Sequence, residues 1–425
     1  MKDKKEFIGM NKSSVVSQLK SIWDSIVDRK PRYDMHGLIE ENKFTWFIKN
    51  LCNLGNSHFK YQHYPNPKVN NGIFKIQNDS SALTTVALLS DWASDTIESQ
   101  LIARQAAKND YSIHLGDTYY VGNKKEIAVN FNTDHAGTWP YGELGSFALL
   151  GNHEMYSSGK SYFQQLLPYM GNFVKEHDKP QQASFFCLEN DYWRIIGLDT
   201  GYYSLKGWLG IKANLNLDLH DQQKKWLEET VKINDDKRGI IILSHHQCFS
   251  AFEDEFPNPA KYISSLIEPG RDILWLWGHE HWFSIYGANK LANGSNVFAR
   301  CVGNSGMPVE INRKKKAKSP KSSDPTDGRN RNLVLYDNRQ REILDRGIAL
   351  GYNGFVMMEI KGNSVTINYY DDNDKQENAR KILQEEWTID IATGKLTGIN
   401  ITDLIKNSDK KFIVFASDIT NAITV

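Results

Sequence analysis

The chain has 425 residues, 40% of them hydrophobic and 24% charged, an ordinary globular balance that suits one large domain with appendages or two domains. Its 51 basic and 51 acidic residues cancel, so no global field draws it to nucleic acid or to an anionic membrane. The four cysteines, Cys52, Cys187, Cys248 and Cys301, are widely spaced and form no CxxC pair, which argues against a disulfide framework or a zinc knuckle.

In chain order, the opening "MKDKKEFIGMNKSS" is charged and lacks the apolar centre of a secretory signal. No apolar run approaches the roughly 18–20 residues that span a bilayer. The expectation is a soluble, cytoplasmic protein without membrane contact. Residues 12–29 place Val15, Leu19, Ile22, Trp23 and Ile26 at helical spacing behind Ser13 or Ser14 as a cap, and 38–53 reads as a second helix. The turn-rich "HYPNPKVNNG" at 63–72 then leads out of a helical N-terminal extension, residues 1–75.

From about residue 83 strands and helices alternate. "TTVALLS" reads as a buried strand and 95–108 as a helix with Ile97, Leu101 and Ile102 turned inward. The apolar runs "YSIHLG", "FALLG", "WRIIGLD", "GIIILS" and "ILWLWG" follow, with a helix over 219–233, in the pattern of sheets covered on both faces. After residue 283 the pieces "NVFARCVG", "GFVMMEI" and "SVTINYY" have no long helix between them and read as antiparallel. Residues 313–332 are basic, rich in Ser and Pro, and nearly free of apolar side chains. They read as an exposed, mobile insertion, with a nucleic-acid contact the less favoured reading. The end of the chain suggests a hairpin at "WTIDIATGKLTG" and a last strand at "FIVFAS". This divides the chain into an α/β domain over 76–375 and a C-terminal β extension over 376–425.

Five short motifs stand at the ends of five of these runs. "SDW" supplies Asp91, "GDTYY" Asp117 with Tyr119 and Tyr120, and "GNHE" Asn152, His153 and Glu154. "SHHQ" supplies His245 and His246, and "GHEH" His279 and His281. Strand ends deliver side chains to the carboxyl edge of a sheet, where open α/β folds bind ligands. Singly each motif is weak, since an aspartate after a strand usually caps a turn and a lone histidine is usually structural. All five together point to a metal centre. Carboxylate, amide oxygen and neutral imidazole suit zinc, manganese and iron, and two adjacent ions clamp the attacking and leaving oxygens of phosphoryl hydrolysis.

The order Asp, Gly-Asp, Gly-Asn-His, His, Gly-His-x-His resembles the calcineurin-like metallophosphoesterases, and within them the purple acid phosphatases. Two residues after Asp91, where many relatives carry a histidine ligand, this chain has Ala93. The purple branch also lacks that histidine and has a tyrosine three residues after the second aspartate, the position of Tyr120. The resemblance implies a two-sheet β-sandwich flanked by helices in four layers. It implies Fe3+ held by Asp91, Tyr120 and His281, with Asp117 bridging to Fe2+, Zn2+ or Mn2+ held by Asn152, His245 and His279. Tyr119 is expected in packing, and His246 beside the ligands rather than among them. His153 is expected to assist departure of the leaving group, with orientation of Asn152 as its alternative role and Glu154 behind it.

The implied activity is hydrolysis of small phosphate monoesters or diesters by in-line attack of a metal-bound hydroxide. Two alternatives stand beside it: a non-catalytic metal-binding regulatory protein of the same fold, and a nuclease of the same superfamily that uses the basic insertion. Substrate and oligomeric state are not legible.

Overall fold

The computed structural model describes residues 58–76, 79, 81–132, 138–174, 179–206, 212–311, 332–344, 347–397 and 413–414. The expected helices at 12–29 and 38–53 lie outside the described residues, as do nearly all of the basic insertion and all but two residues of the chain beyond 397.

Among the described residues, two nine-stranded sheets dominate the fold, beside two small two-stranded ones. The first runs, in spatial order, Ile73–Lys75, Phe186–Glu189, Trp193–Leu198, Gly239–Ser244, Asp272–Trp277, Asn296–Val302, Phe283–Lys290, Leu333–Tyr336 and Ile413–Val414. The second runs Lys395–Thr397, Arg380–Asp390, Ser364–Asp371, Gly354–Lys361, Thr84–Leu89, Tyr111–His114, Gly145–Ala148, Gly171–Asn172 and Lys179–Pro180. Each has a parallel centre with antiparallel pairings on both sides of it, and the first also has a parallel edge pair, Ile73–Lys75 with Phe186–Glu189. Trp193–Leu198, Gly239–Ser244, Asp272–Trp277 and Asn296–Val302 are parallel neighbours in the first sheet. Thr84–Leu89, Tyr111–His114 and Gly145–Ala148 are parallel neighbours in the second.

The continuous apolar runs become strands buried on both faces. Ile240, Ile241, Ile242 and Leu243 are all fully buried, as are Ile273 to Trp277. One core joins the sheets, with Val86, Leu88, Ile113 and Leu149 from the second meeting Ile195, Ile241 and Trp275 from the first. A smaller core on the other side of the second sheet takes Ala87, Leu89 and Ala148 together with Ile102, Ala103 and Ala106 of the helix Ile97–Ala106. That helix starts at Thr96, whose side chain accepts from the Ser99 amide while Ser99 returns the bond. Its inward stripe is Ser99, Ile102, Ala103 and Ala106, which puts Ile97 on the other side. Ile97 is therefore half exposed, against the expectation from the sequence.

The C-terminal segment is woven into the second sheet. Arg380–Asp390 pairs along Ser364–Asp371 and turns into Lys395–Thr397, the hairpin the sequence suggested. Between the sheets, Arg300 of the first holds Glu385 of the second in a fully buried two-pronged ion pair. Further bonds surround the pair: Arg300 Nη1 donates to the carbonyls of Tyr286 and Ala299, and Glu385 accepts from Tyr369 Oη and Trp387 Nε1. Such a pair fixes register and orientation more than it adds net stability.

His114 ends its strand with the ring fully buried and edge-on to Phe131, Trp139 and Trp92, at centroid distances of 5.2, 5.3 and 6.4 Å. Neither ring nitrogen has a hydrogen-bond partner among the described residues, and burial pushes the imidazole down from 6.5 to about 3. Between those values the unfolded chain carries a proton that the folded chain refuses. Stability is therefore complete above pH 6.5 and lost as pH falls toward 3. In the presence of a chelator, His114→Leu is expected to flatten the pH dependence of unfolding free energy by about 1.4 kcal/mol per pH unit in this window, one proton's worth. Denaturant titrations between roughly pH 4 and 6 measure it, and identical slopes in both proteins would contradict the assignment.

Candidate metal centre

The five motifs do not share one sheet edge, as the strand pattern suggested. Asp91, Asp117 and Asn152 follow adjacent parallel strands of the second sheet, and His245 and His279 follow adjacent parallel strands of the first. The carboxyl ends of the two parallel centres meet, and the motif side chains converge between them.

Asp91 and Asp117 are both almost completely buried, and both adopt left-handed backbone, with φ of 55° and 72°. His279 does the same at 64°. Left-handed non-glycine residues cost roughly 1 kcal/mol or more each and persist where the surroundings over-determine them. Here the surroundings are tight. A Cβ on Gly151 would lie 2.1 Å from Asp117 Oδ1, and one on Gly278 would lie 1.7 Å from Ser90 Oγ. These two glycines let the loops close on the carboxylates.

Asp91 Oδ2 accepts from the His279 amide at 2.8 Å and from Ser90 Oγ at 2.7 Å, and Asp91 Oδ1 lies 3.3 Å from His281 Nε2. Asp117 Oδ1 accepts from the His153 amide at 2.9 Å, and Asp117 Oδ2 lies 3.2 Å from His245 Nε2. His245 Nε2 is also 3.1 Å from Asn152 Oδ1, while its Nδ1 faces the Leu115 carbonyl at 3.0 Å. A carbonyl can only accept, so Nδ1 carries the hydrogen in neutral His245 and Nε2 presents its lone pair toward Asp117 and Asn152. Glu154 closes the arrangement from beneath, its Oε2 accepting from the Gly151 amide at 2.9 Å and the Asp117 amide at 3.3 Å.

The tyrosine that enters this cluster is Tyr119, where the sequence placed Tyr120 and left Tyr119 to packing. Tyr119 Oη lies 2.7 Å from Asp91 Oδ1, 3.1 Å from Asp117 Oδ2 and 2.9 Å from His281 Nε2. The reason is local backbone geometry. Thr118 forms a parallel bridge with Ala93, and the Tyr119 amide donates to the Ala93 carbonyl at 2.9 Å. Tyr120 packs against the pair formed by Tyr119 and Met307 and contributes its backbone: its amide donates to Glu126 Oε1, and its carbonyl lies 2.6 Å from His153 Nδ1. Ala93 itself is fully buried and outside the left-handed region, so alanine costs no backbone strain there.

Burial pushes both carboxyls up, but the imidazoles around them outweigh it. His281 and His245 hold Asp91 below its ordinary value, and His245 and His153 hold Asp117 well below. Burial would likewise depress His245, yet Asp117 and Asp91 push it up to about 9. Burial and the neighbouring His245 push His279 down to about 4. Burial, then Asp117 and Asp91, hold the Tyr119 phenol well above its usual value. Two adjacent buried carboxylates with imidazole, amide oxygen and phenol around them form a donor set that fits cations. Among the described residues, two groups of carboxylate and imidazole donors lie close enough to hold an ion, Asp91 with Asp117 and His245, and His245 with His246 and His279. His153, His279 and His281 are partly exposed, and their side of the cluster is the open one.

Two contributors escaped the sequence. Residues 303–307 lie along the Asp91 loop, with the Ser305 amide donating to the Ser90 carbonyl, the Met307 amide to the Asp91 carbonyl, and the Met307 side chain against Tyr119. Asn353 ties this segment down through the carbonyls of Asn304 and Met307. The glycines of "VGNSGMP" were a signal of close approach: a Cβ on Gly306 would lie 2.2 Å from the Trp92 carbonyl. Asn353 carried no signal.

Residues 84–283, a little under half of the chain, match the model of the calcineurin-like phosphoesterase family. Among solved structures, the purple acid phosphatase PPD1 from yellow lupin (Lupinus luteus) seeds is similar at 14% identity and a TM-score of 0.42, over 71% of this chain and 53% of that one. The structure of PhoD is similar at 11% identity and a TM-score of 0.43, over 76% of this chain and 73% of that one. The chain thus spans about half the length of the lupin structure. Likeness at these values says nothing of activity or substrate. No curated protein matches the chain. Among the described residues no helix is long and apolar enough to cross a membrane.

Proposed function

We propose that this chain, which carries a calcineurin-like phosphoesterase domain over residues 84–283, hydrolyses small phosphate monoesters or diesters at a two-metal centre of the purple acid phosphatase type. The observation that carries the reading is the meeting of Asp91, Asp117, His245 and His281 around Tyr119 Oη and Asn152 Oδ1 within hydrogen-bonding distance. In it Asp91, Tyr119 and His281 would hold the first ion and Asn152, His245 and His279 the second, and Asp117 would serve both. Phenolate is a hard anionic donor, so the first position favours Fe3+, while the second suits Fe2+, Zn2+ or Mn2+. The ions, when bound, supply Lewis acidity toward a phosphoryl oxygen and lower the pKa of water.

The protein's own groups do the rest. Asp91 and Asp117 are fixed by backbone amides and cannot swing to solvent, so the negative charge that attracts cations is set before anything binds. His153 stands at the open side. Its Nδ1 faces the Tyr120 carbonyl, an acceptor only, which fixes Nδ1 as the protonated nitrogen and points Nε2 into the site, 3.8 Å from Asp117 Oδ2. From there Nε2 can hold a proton at the departing alkoxide.

Metal-loaded protein is expected to hydrolyse both an alkyl phosphate and p-nitrophenyl phosphate. His153→Ala is expected to lower kcat for the alkyl ester by about 10²–10⁴-fold and to spare much of the activity on the aryl ester, whose leaving group departs without a proton. Equal losses on the two esters would remove His153 from proton transfer, and no hydrolysis by the unaltered protein with any metal would overturn the reading as a whole. The tyrosine is tested separately by visible spectroscopy of iron-loaded protein. A tyrosinate-to-iron(III) charge-transfer band is expected to survive in Tyr120→Phe and to vanish in Tyr119→Phe; the reverse pattern would return the ligand to Tyr120.

A further inference from the structure

His246 has no place in the ligand set above, yet one ring nitrogen each from His245, His246 and His279 lie within 4.8 Å of one another. Ring centroids are 4.7 Å apart for His245 and His246, 4.6 Å for His246 and His279, and 5.2 Å for His245 and His279. His246 is buried, and its ring is held from two sides. Phe256 packs edge-on at 4.8 Å, and Thr200 Oγ1 lies 3.2 Å from Nδ1. The same hydroxyl oxygen accepts from the His246 amide at 3.0 Å, so backbone and ring are fixed together. Thr200 Oγ1 thus takes the Nδ1 side of the ring and leaves Nε2 as the other nitrogen; when Nδ1–H donates to that oxygen, Nε2 keeps its lone pair, the tautomer that a metal-ligating histidine needs. Ring nitrogens of three imidazoles gathered within 4.8 Å of one another form an arrangement that a cation answers.

We propose that His246 is a third imidazole donor to the ion held by Asn152, His245 and His279, which makes this position nitrogen-rich and selective for zinc over manganese or magnesium. The inference rests on the two-metal reading and deepens it. Carboxylate and water ligation suit manganese and magnesium, whereas imidazole suits zinc, and each carbonyl or water ligand replaced by imidazole moves the preference that way.

The test is His246→Asn. Asparagine Nδ2 falls where imidazole Nδ1 was and keeps the bond to Thr200, but no atom remains at the Nε2 position. Zinc and manganese isotherms are measured against a chromophoric chelator, together with the visible spectrum of the cobalt(II)-loaded protein. The expected result is zinc binding weakened by about tenfold or more at one of two sites, with a much smaller change for manganese and a changed cobalt band. An unchanged zinc isotherm, or equal losses for zinc and manganese, overturns the proposal. Thr200→Val, which leaves the imidazole in place but unlocks it, provides a second measurement should the asparagine variant fold poorly. It is expected to shift zinc in the same direction by less, and no shift overturns the proposal likewise. Failure of the underlying reading looks different, because the unaltered protein then binds fewer than two ions.

Discussion

Two carboxylates buried side by side set the terms for the whole centre. Asp91 and Asp117 share the Tyr119 hydroxyl between them, and both are shut off from water. Burying one unpaired carboxylate is costly, and burying two in contact is tolerable only with positive charge close by. The fold supplies partial answers through backbone amides of His153 and His279 and the imidazoles of His245 and His281. It also holds both aspartates in left-handed backbone, a conformation that relaxes readily in a free loop. The structure thus spends stability to keep the pair in place, and cations are the natural counterpart of that expense.

The pair depends on contacts far from the motifs in sequence. Aspartates and asparagine come from one sheet, and the histidines at 245 and 279 from the other, so the centre exists only while the sheets hold their relative position. The Arg300–Glu385 ion pair spans that junction, with Glu385 on a strand more than a hundred residues beyond the last motif. The segment 303–307 acts closer in. Anchored by Asn353, it lies against the Asp91 loop and backs Tyr119 with Met307, so the phenol has one orientation available.

The sequence made the strands and their ends easy to read because these strands are buried on both faces and appear as unbroken apolar runs bounded by Gly, Asp or His. Gly239–Ser244 and Asp272–Trp277 are of this kind. For the same reason the sequence alone gathers the residues that follow them into one centre. Three features were out of reach. That the five ends belong to two sheets depends on long-range pairing, such as Thr84–Leu89 lying between Gly354–Lys361 and Tyr111–His114. Which of two adjacent tyrosines enters the cluster depends on the bridge between Ala93 and Thr118, a single contact that no periodicity announces. The inward face of the helix Ile97–Ala106 was misjudged because Ile97 is apolar but lies off the stripe of small residues that meets the sheet.

The central claim is that the converged carboxylates and imidazoles hold two ions, one on each side of Asp117. Anomalous diffraction from crystals grown with manganese or zinc tests it most directly. The account predicts two peaks, one among Asp91, Asp117, Tyr119 and His281 and one among Asp117, Asn152, His245 and His279. A single peak at saturating metal, or peaks away from Asp117, would contradict it.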